Sequence, residues 1–500
     1  MSRRVASSND AVPSVQGTGW YLAIALAMIP VSYLTQVLLG RMGPVALAYY
    51  ALVFLAREFI TNVFMLGENQ TIVRFLPAIP ANQRPGFLVR YLLIVSVPAC
   101  LLVAGISQIS SLRHFLIPEH IPLDIVLLLL IFVPITLLFN TCVAALQALL
   151  QMKVVGLWYR GLPLLNLLGF LAVYRYLPAL RKHETGFWVV LIVLVSYLLS
   201  LAALAVFLHR QCLAHWTSSV LSTRLPRGFF RYMGFIGIGT ISSFVIENFD
   251  QTYILSALPL EQLGHYRAAL STAKFVPWLP LIMIQITMPL FSQLEAAGDD
   301  MGIRKHYARM MSLNISISSA IACLVMLFAR PILSLFGPTY ASAYTVLIAL
   351  ATGLALHSIT TVNSSLLLAK GYAGINLVGA LAASGCQVFL IVSLIGPLGP
   401  TGVAISRGVT LLLLVLITSY FVSKFACCRI PSAQFAWLAA LGLVAAFGLL
   451  ISDQSGAGFW LRIAAAVLVV AAAGKSLRSI EPQLPGELWR AVRAWVRPRD

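Results

Sequence analysis

The stretch ALAYYALVFLAREFITNVFML, residues 46–66, is an apolar run with Arg57 beside Glu58 in its middle. At 1.5 Å per residue it forms a helix of about 30 Å, which is the thickness of the hydrocarbon core of a bilayer. Runs like it recur along nearly the whole chain. Of the 500 residues, 60% are hydrophobic and 10% charged, and the mean hydropathy is +0.90, far outside the range of a soluble domain. The chain reads as an all-α polytopic membrane protein, and strands are not needed to explain it.

Spans are predicted at 18–39, 46–66, 86–106, 122–147, 156–177 and 187–208, then at 229–249, 264–291, 312–336, 342–368, 373–395 and 401–425, with a last pair at 432–451 and 458–473. These are about fourteen transmembrane helices. The first run reads as a span and not a signal peptide, because it has no A-x-A site and another span follows at once. The expected organisation is a cytoplasmic tail 1–17, a first six-helix bundle 18–210, a cytoplasmic linker 211–228 and a second six-helix bundle 229–425. Two additional helices within 432–473 and a basic amphipathic tail 474–500 complete it. The helix of that tail, from about Gly486, is expected to lie on the inner leaflet.

Orientation follows from the loops. With the loops numbered alternately from the N-terminal tail, 23 of the 34 Lys and Arg residues fall on the side of the two termini, 5 on the opposite side and 6 within spans. Both termini are therefore expected in the cytoplasm. The net charge of +18 is mostly this topology signal, with attraction to anionic membrane lipids as a second effect, and nucleic acid is not an expected partner.

Metal and nucleotide chemistry find no footing. The seven cysteines have no spacing suited to a metal or a disulfide framework, and the eight histidines form no H-E-x-x-H or comparable cluster. AAAGKSL, residues 471–477, has Val469 where a P-loop needs its first glycine. No cofactor, no metal and no catalytic residue is expected. The sequons at Asn69, Asn314 and Asn363 fall on the cytoplasmic side or within spans, so no glycan is expected there.

An internal comparison bears on the opening charges. LAYYALVFLAREF (47–59) aligns with LGHYRAALSTAKF (263–275) at an offset of 216, which pairs Leu47, Tyr50 and Phe59 with Leu263, Tyr266 and Phe275, and Glu58 with Lys274. Upstream, Leu39 meets Leu255. An offset of six spans gives two parallel, pseudo-symmetric repeats. On that reading Glu58 and Lys274 occupy equivalent depths and face each other across the central interface. A charge at mid-bilayer costs about 2.5–3.5 kcal/mol on insertion scales, so Arg57 and Glu58 must face protein or water. Either they line an internal cavity or they lock two helices together as a buried ion pair. Neighbouring residues point about 100° apart on a helix, so the two are not expected simply to neutralise each other.

The eighth expected span carries Arg267, Ser271, Lys274, Trp278 and Gln285 within about 40° of one another on a continuous helix. Two cations, a hydroxyl, an indole and an amide on one face suit an anionic, hydroxyl-rich ligand. The alternative is that Arg267 snorkels to the interface and Trp278 only packs. Glu247 and Asp250 end the seventh span; Asp250 serves either the helix end or ion coupling, and Glu58 is the other acid placed to couple an ion. Arg407 either joins the cavity or snorkels. HSITTVNSS, residues 357–365, either glues helices together or lines the cavity.

LLGRMGPVALAYYALV (38–53), VRFLPAI (73–79), NFDQTYILSALPLEQLGHYRAAL (248–270), MPLFSQL (288–294), LFGPTYASAYTVLIAL (335–350) and GPLGPTGVAIS (396–406) follow one another along the chain. In these segments, over most of residues 18–425, the sequence resembles bacterial polysaccharide-biosynthesis flippases of the multidrug/oligosaccharidyl-lipid/polysaccharide exporter superfamily. The resemblance implies two six-helix bundles that rock between inward-open and outward-open states around a cationic cavity, with two extra C-terminal helices. It implies a transporter and not an enzyme, placed in the bacterial inner membrane. The implied substrate is an oligosaccharide on a polyprenyl pyrophosphate, moved to the outer leaflet for cell-surface or exopolysaccharide assembly, with polymerase and export machinery as possible partners. On that reading Arg57, Arg267 and Lys274 take the pyrophosphate, and Glu58 competes for the same cations. The rival within the superfamily is a cation-coupled multidrug exporter, which calls for acids where this stripe presents Arg and Lys. A membrane scaffold of polysaccharide assembly is a further alternative. A membrane-embedded glycosyltransferase or polymerase needs a catalytic acid or metal pair, and none is seen.

Overall fold

The computed structural model describes residues 11–66, 68–108, 121–176, 185–211, 225–450 and 456–480. Among them there is no strand, and helix occupies every expected span region. Ten stretches are long and apolar enough to cross a membrane by length and composition. One of them, Ala373–Phe425, does the work of two. Its 53 residues contain Gly399 at φ 56°, a left-handed conformation that favours glycine, between Pro397 and Pro400. A Cβ at Gly402 would run into the Leu394 carbonyl oxygen, so the chain doubles back at this point. The two arms match the eleventh and twelfth expected spans.

The helices are α1 (Ala11–Met42), α2 (Pro44–Phe59), α3 (Glu68–Phe75), α4 (Arg84–Gln108), α5 (Leu123–Ala148), α6 (Met152–Val155), α7 (Leu162–Tyr176), α8 (Thr185–Gln211) and α9 (Phe229–Ala257). They continue as α10 (Leu260–Ala273), α11 (Trp278–Ala296), α12 (Asp300–Leu327), α13 (Ala329–Ser334), α14 (Tyr344–Ala369), α15 (Ala373–Phe425), α16 (Phe435–Leu450) and α17 (Gly456–Ile480). Two π-helical turns interrupt the α pattern, Ile60–Phe64 after α2 and Gly156–Arg160 between α6 and α7.

The chain divides into two compact units, Met1–Ala268 and Ala269–Asp500. In the first, α5 and α8 pack through Tyr197, whose ring lies 4.9 Å from Phe132 and 4.8 Å from Phe139. Helix α9 packs on the π turn that follows α2, with Phe244 5.6 Å from Phe59. A π turn displaces backbone groups from the α ladder, and in an apolar interior neighbours must satisfy them. Here Thr240 donates to the Asn62 carbonyl at 3.1 Å, and Tyr91 to the Met65 carbonyl at 2.9 Å. Asn140 adds a bond to Thr61 at 2.9 Å.

In the second unit Asn363 of α14 is a hub. It accepts from Tyr307 of α12 at 2.8 Å and donates to Thr418 and Ser419 of α15 at 3.2 and 2.9 Å. The hydroxyl-rich segment 357–365 therefore glues helices together through this residue. The last two helices dock on α12, where Ser316 donates to Gln434 at 3.0 Å and meets Ser476 at 2.9 Å. Lys370, just after α14, bonds Glu295 at 2.6 Å and lies 3.5 Å from Asp300, tying the ends of three helices together.

Three expectations are corrected. The seventh span does not end at 249: α9 runs on to Ala257, so Asp250 lies inside a helix and is fully buried. The eighth span is not one continuous helix. Residues 274–277 form a turn ahead of Trp278, so a helical wheel drawn through 267–285 loses its phase there. Arg57 and Glu58 do pair, Nη1 to Oε1 at 3.7 Å, because both side chains are long enough to bend toward each other from adjacent positions. The N-terminal tail up to residue 10, most of the linker 211–228 and the tail beyond Ile480 lie outside the described residues.

Candidate functional site

A cavity of about 230 Å³ opens within the first unit. Its wall comes from α1 (Ser32, Gln36), α2 (Tyr50, Phe54, Arg57), the second π turn (Tyr159, Arg160), α7 (Asn166), α8 (Tyr197) and α10 (Arg267). Close backbone approach brings these elements together. A Cβ at Gly156 would stand 3.2 Å from the Tyr21 Cα, so a larger residue there would press α1 away from the π turn by a few tenths of an ångström.

Three guanidinium groups share this wall with aromatic rings between them. Phe54 lies 5.5 Å from the Arg267 Cζ and 6.0 Å from that of Arg57. Tyr159 lies 5.9 Å from Arg57 and 5.2 Å from Arg160, and Tyr21 lies 5.1 Å from Arg160. Ring faces attract cations within about 6 Å, so each ring offsets part of the cost of holding like charges near one another. Hydrogen bonds fix the same groups. Arg57 Nη2 donates to the Tyr159 hydroxyl at 3.2 Å, Arg160 Nε to the Tyr21 hydroxyl at 2.8 Å, and Arg267 Nη1 to Gln251 Oε1 at 2.9 Å.

The sign of the wall is positive. Among the described lining residues there are three arginines and no carboxylate. Glu58 reaches Arg57 at 3.7 Å, longer than a hydrogen bond, and its other oxygen accepts from Asn62 at 3.2 Å. Three polar atoms at the wall have no hydrogen-bond partner among the described residues: Arg57 Nε, Gln36 Oε1 and Asn166 Oδ1. Buried polar atoms are seldom left this way, and together they can serve a ligand that offers both acceptors and donors.

Of the sequence-derived candidates, Arg57 and Arg267 come together at this cavity, with Glu58 beside Arg57. Asp250 sits behind the wall: it accepts from the Tyr266 hydroxyl at 2.5 Å and from the Gln251 backbone N–H at 2.7 Å. Neighbouring residues thus clamp α10 to α9, with Asp250 holding Tyr266 and Gln251 holding Arg267. Ser271, Lys274, Trp278, Gln285 and Arg407 belong to the second unit. Ser271 is buried in α10, Lys274 is exposed in the turn after it, and Trp278 is half-buried at the start of α11. The side chain of Gln285 lies outside the described residues. Arg407 is 4% exposed on the second arm of α15, so it does not snorkel to a surface.

Arg160, Tyr159, Asn166 and Gln36 were missed. Arg160 is one of the 23 basic residues that the loop tally assigns to the side of the two termini, since it stands near the start of the expected span 156–177. The run WYR at 158–160, aromatic and cationic side by side within an apolar segment, is the signal in the sequence that pointed to it.

A solved structure of the lipid II flippase MurJ, in an inward closed conformation, matches 92% of this chain and 98% of its own, with a TM-score of 0.66 and 14% identity. An inward-facing multidrug resistance MATE family transporter of the MOP superfamily matches 85% of this chain and 98% of its own, with a TM-score of 0.62 and 15% identity. A MOP superfamily transporter from Pyrococcus furiosus, reported with a binding pocket of reverse polarity, matches 86% and 96%, with a TM-score of 0.57 and 14% identity. No protein-family model and no curated protein sequence matches the chain. The chain is a multi-pass all-α protein with the fold of the MOP-superfamily transporters.

Proposed function

We propose that this chain, built on the MOP-superfamily transporter fold, is a flippase that carries a polyprenyl-pyrophosphate-linked oligosaccharide from the cytoplasmic to the outer leaflet of a bacterial inner membrane. One observation carries the reading: a cavity wall with three guanidinium groups and no carboxylate among its described lining residues. Guanidinium groups bind phosphate oxygens in bidentate fashion, and the amides and tyrosines beside them suit sugar hydroxyls. Moving negative charge outward from a negative interior gains about 2.3 kcal/mol per charge per 100 mV if the full field is crossed, so nucleotide hydrolysis is not required.

In this reading residues 18–210 and 229–425 act as two six-helix repeats, both termini are cytoplasmic, and the glycan serves cell-surface or exopolysaccharide assembly alongside a polymerase and export machinery. The breaks in the helices support the repeat. At the offset of 216, the π turn Ile60–Phe64 and the turn at 274–277 fall at nearly matching places. Lys274 and Arg407 are proposed as further cations of the pathway. A multidrug exporter calls for acids at the same wall, and the lining does not favour it.

Loss of the protein is expected to leave full-length lipid-linked oligosaccharide on the cytoplasmic leaflet while its synthesis continues. Leaflet-resolved detection of that lipid in a deletion strain tests this. A glycan that is never completed on its carrier would move the function to synthesis.

A further inference from the structure

We infer that Arg160 and Tyr21 form an entry subsite at the mouth of the cavity, which captures the phosphate-bearing headgroup before Arg57 and Arg267 hold it. This rests on the anionic-substrate reading above and adds a site and an order to it.

The three cations differ in access. Arg160 is exposed, the Arg57 side chain is 18% exposed and Arg267 is 8% exposed. Tyr159 lies against the first two and Phe54 against the last two, so shared rings link the three cations in order of decreasing exposure. An exposed arginine on a membrane helix ordinarily samples many rotamers in the headgroup region. Arg160 is instead held by its Nε on the Tyr21 hydroxyl and against two rings, that of Tyr21 from α1 and that of Tyr159 from its own π turn. That arrangement commits Nε and leaves the two Nη groups for a phosphate. The π turn Gly156–Arg160 and the close packing at Gly156 set the position of both partners.

A charge at the rim of a site governs encounter and its dependence on salt, whereas a buried, hydrogen-bonded charge governs residence. The two roles separate in kinetics. Full-length protein in nanodiscs is mixed with farnesyl pyrophosphate, with farnesol and inorganic pyrophosphate as the other arms, and association is followed by stopped-flow tryptophan fluorescence. Arg160→Gln is expected to slow association about tenfold and flatten its salt dependence, with dissociation within about twofold of wild type. Tyr21→Phe, which keeps the ring and loses the bond to Nε, is expected to do the same more weakly. Arg267→Gln is expected to speed dissociation instead.

Equal loss of association for inorganic pyrophosphate in Arg160→Gln supports the subsite for phosphate whatever its carrier; loss confined to the farnesyl compound supports it for a lipid headgroup. Unchanged association in Arg160→Gln, or faster dissociation as large as that of Arg267→Gln, overturns the entry subsite and leaves the proposed function standing. Wild type that binds farnesyl pyrophosphate no better than farnesol overturns both.

Discussion

Arg57 and Arg267 share the ring of Phe54, at 6.0 and 5.5 Å from its centroid. Two like charges brought to one ring repel each other, and the ring and the polar neighbours of each guanidinium offset only part of that repulsion. An anion bound at this wall relieves the rest. Arg57→Gln and Arg267→Gln are each expected to weaken pyrophosphate binding by about tenfold or more, while the proteins insert and express normally. Equilibrium binding of farnesyl pyrophosphate by purified variants checks this, and unchanged affinity in both would remove the wall from the substrate path.

The two acids proposed for ion coupling stand in different surroundings. The Glu58 side chain is 34% exposed beside Arg57, whereas Asp250 is fully buried and holds Tyr266. Glu58→Gln is expected to tighten pyrophosphate binding several-fold and slow its release, because a competitor for Arg57 is gone. Asp250→Asn keeps an oxygen for the Tyr266 hydroxyl and is expected to transport at near wild-type rate. Gradient-driven transport abolished in Asp250→Asn, with normal thermal stability, would instead assign the coupling role to Asp250.

Tyr266→Phe removes the donor to that buried carboxylate. Hydrogen bonds to charged groups contribute about 1.5–3 kcal/mol, so a lower melting temperature is expected, together with weaker pyrophosphate binding as α10 and Arg267 loosen. Thermal unfolding with and without the ligand separates the two effects.

Asn363 bonds Tyr307, Thr418 and Ser419 within the second unit. Interhelical hydrogen bonds in membranes average about 0.6 kcal/mol, so Asn363→Leu is expected to cost about 2 kcal/mol in all. Its melting temperature falls and its pyrophosphate affinity stays unchanged. A loss of affinity without a loss of stability would return the 357–365 segment to the substrate path.

The basic-residue asymmetry of 23 against 5 predicts that Ser218 in the linker faces the cytoplasm. A single cysteine introduced there, in an otherwise cysteine-free chain, is expected to resist an impermeant thiol reagent in intact cells and to react after lysis.

The sequence by itself determined where the helices run. Apolar runs of span length leave a backbone no better way to satisfy its hydrogen bonds in lipid, and the Pro-Leu-Gly-Pro segment at 397–400 marks the turn inside the longest helix. It also determined that Arg57 and Glu58 must face protein or water, since the cost of a charge in lipid does not depend on the details of packing, while it left Arg267 open between the cavity and the interface. What only the tertiary structure decided is which side chains meet. A helical wheel assumes one fixed angle per residue, and the turn at 274–277 resets that angle, so the stripe from Arg267 to Gln285 is not one helix face. A π turn likewise adds residues to a turn, and Gly156–Arg160 thereby carries Tyr159 and Arg160 to a wall that no α-helical periodicity assigned them. Side-chain reach did the same on a smaller scale: Arg57 and Glu58 point apart at the backbone and still pair at 3.7 Å, because long side chains close angles that the helix leaves open.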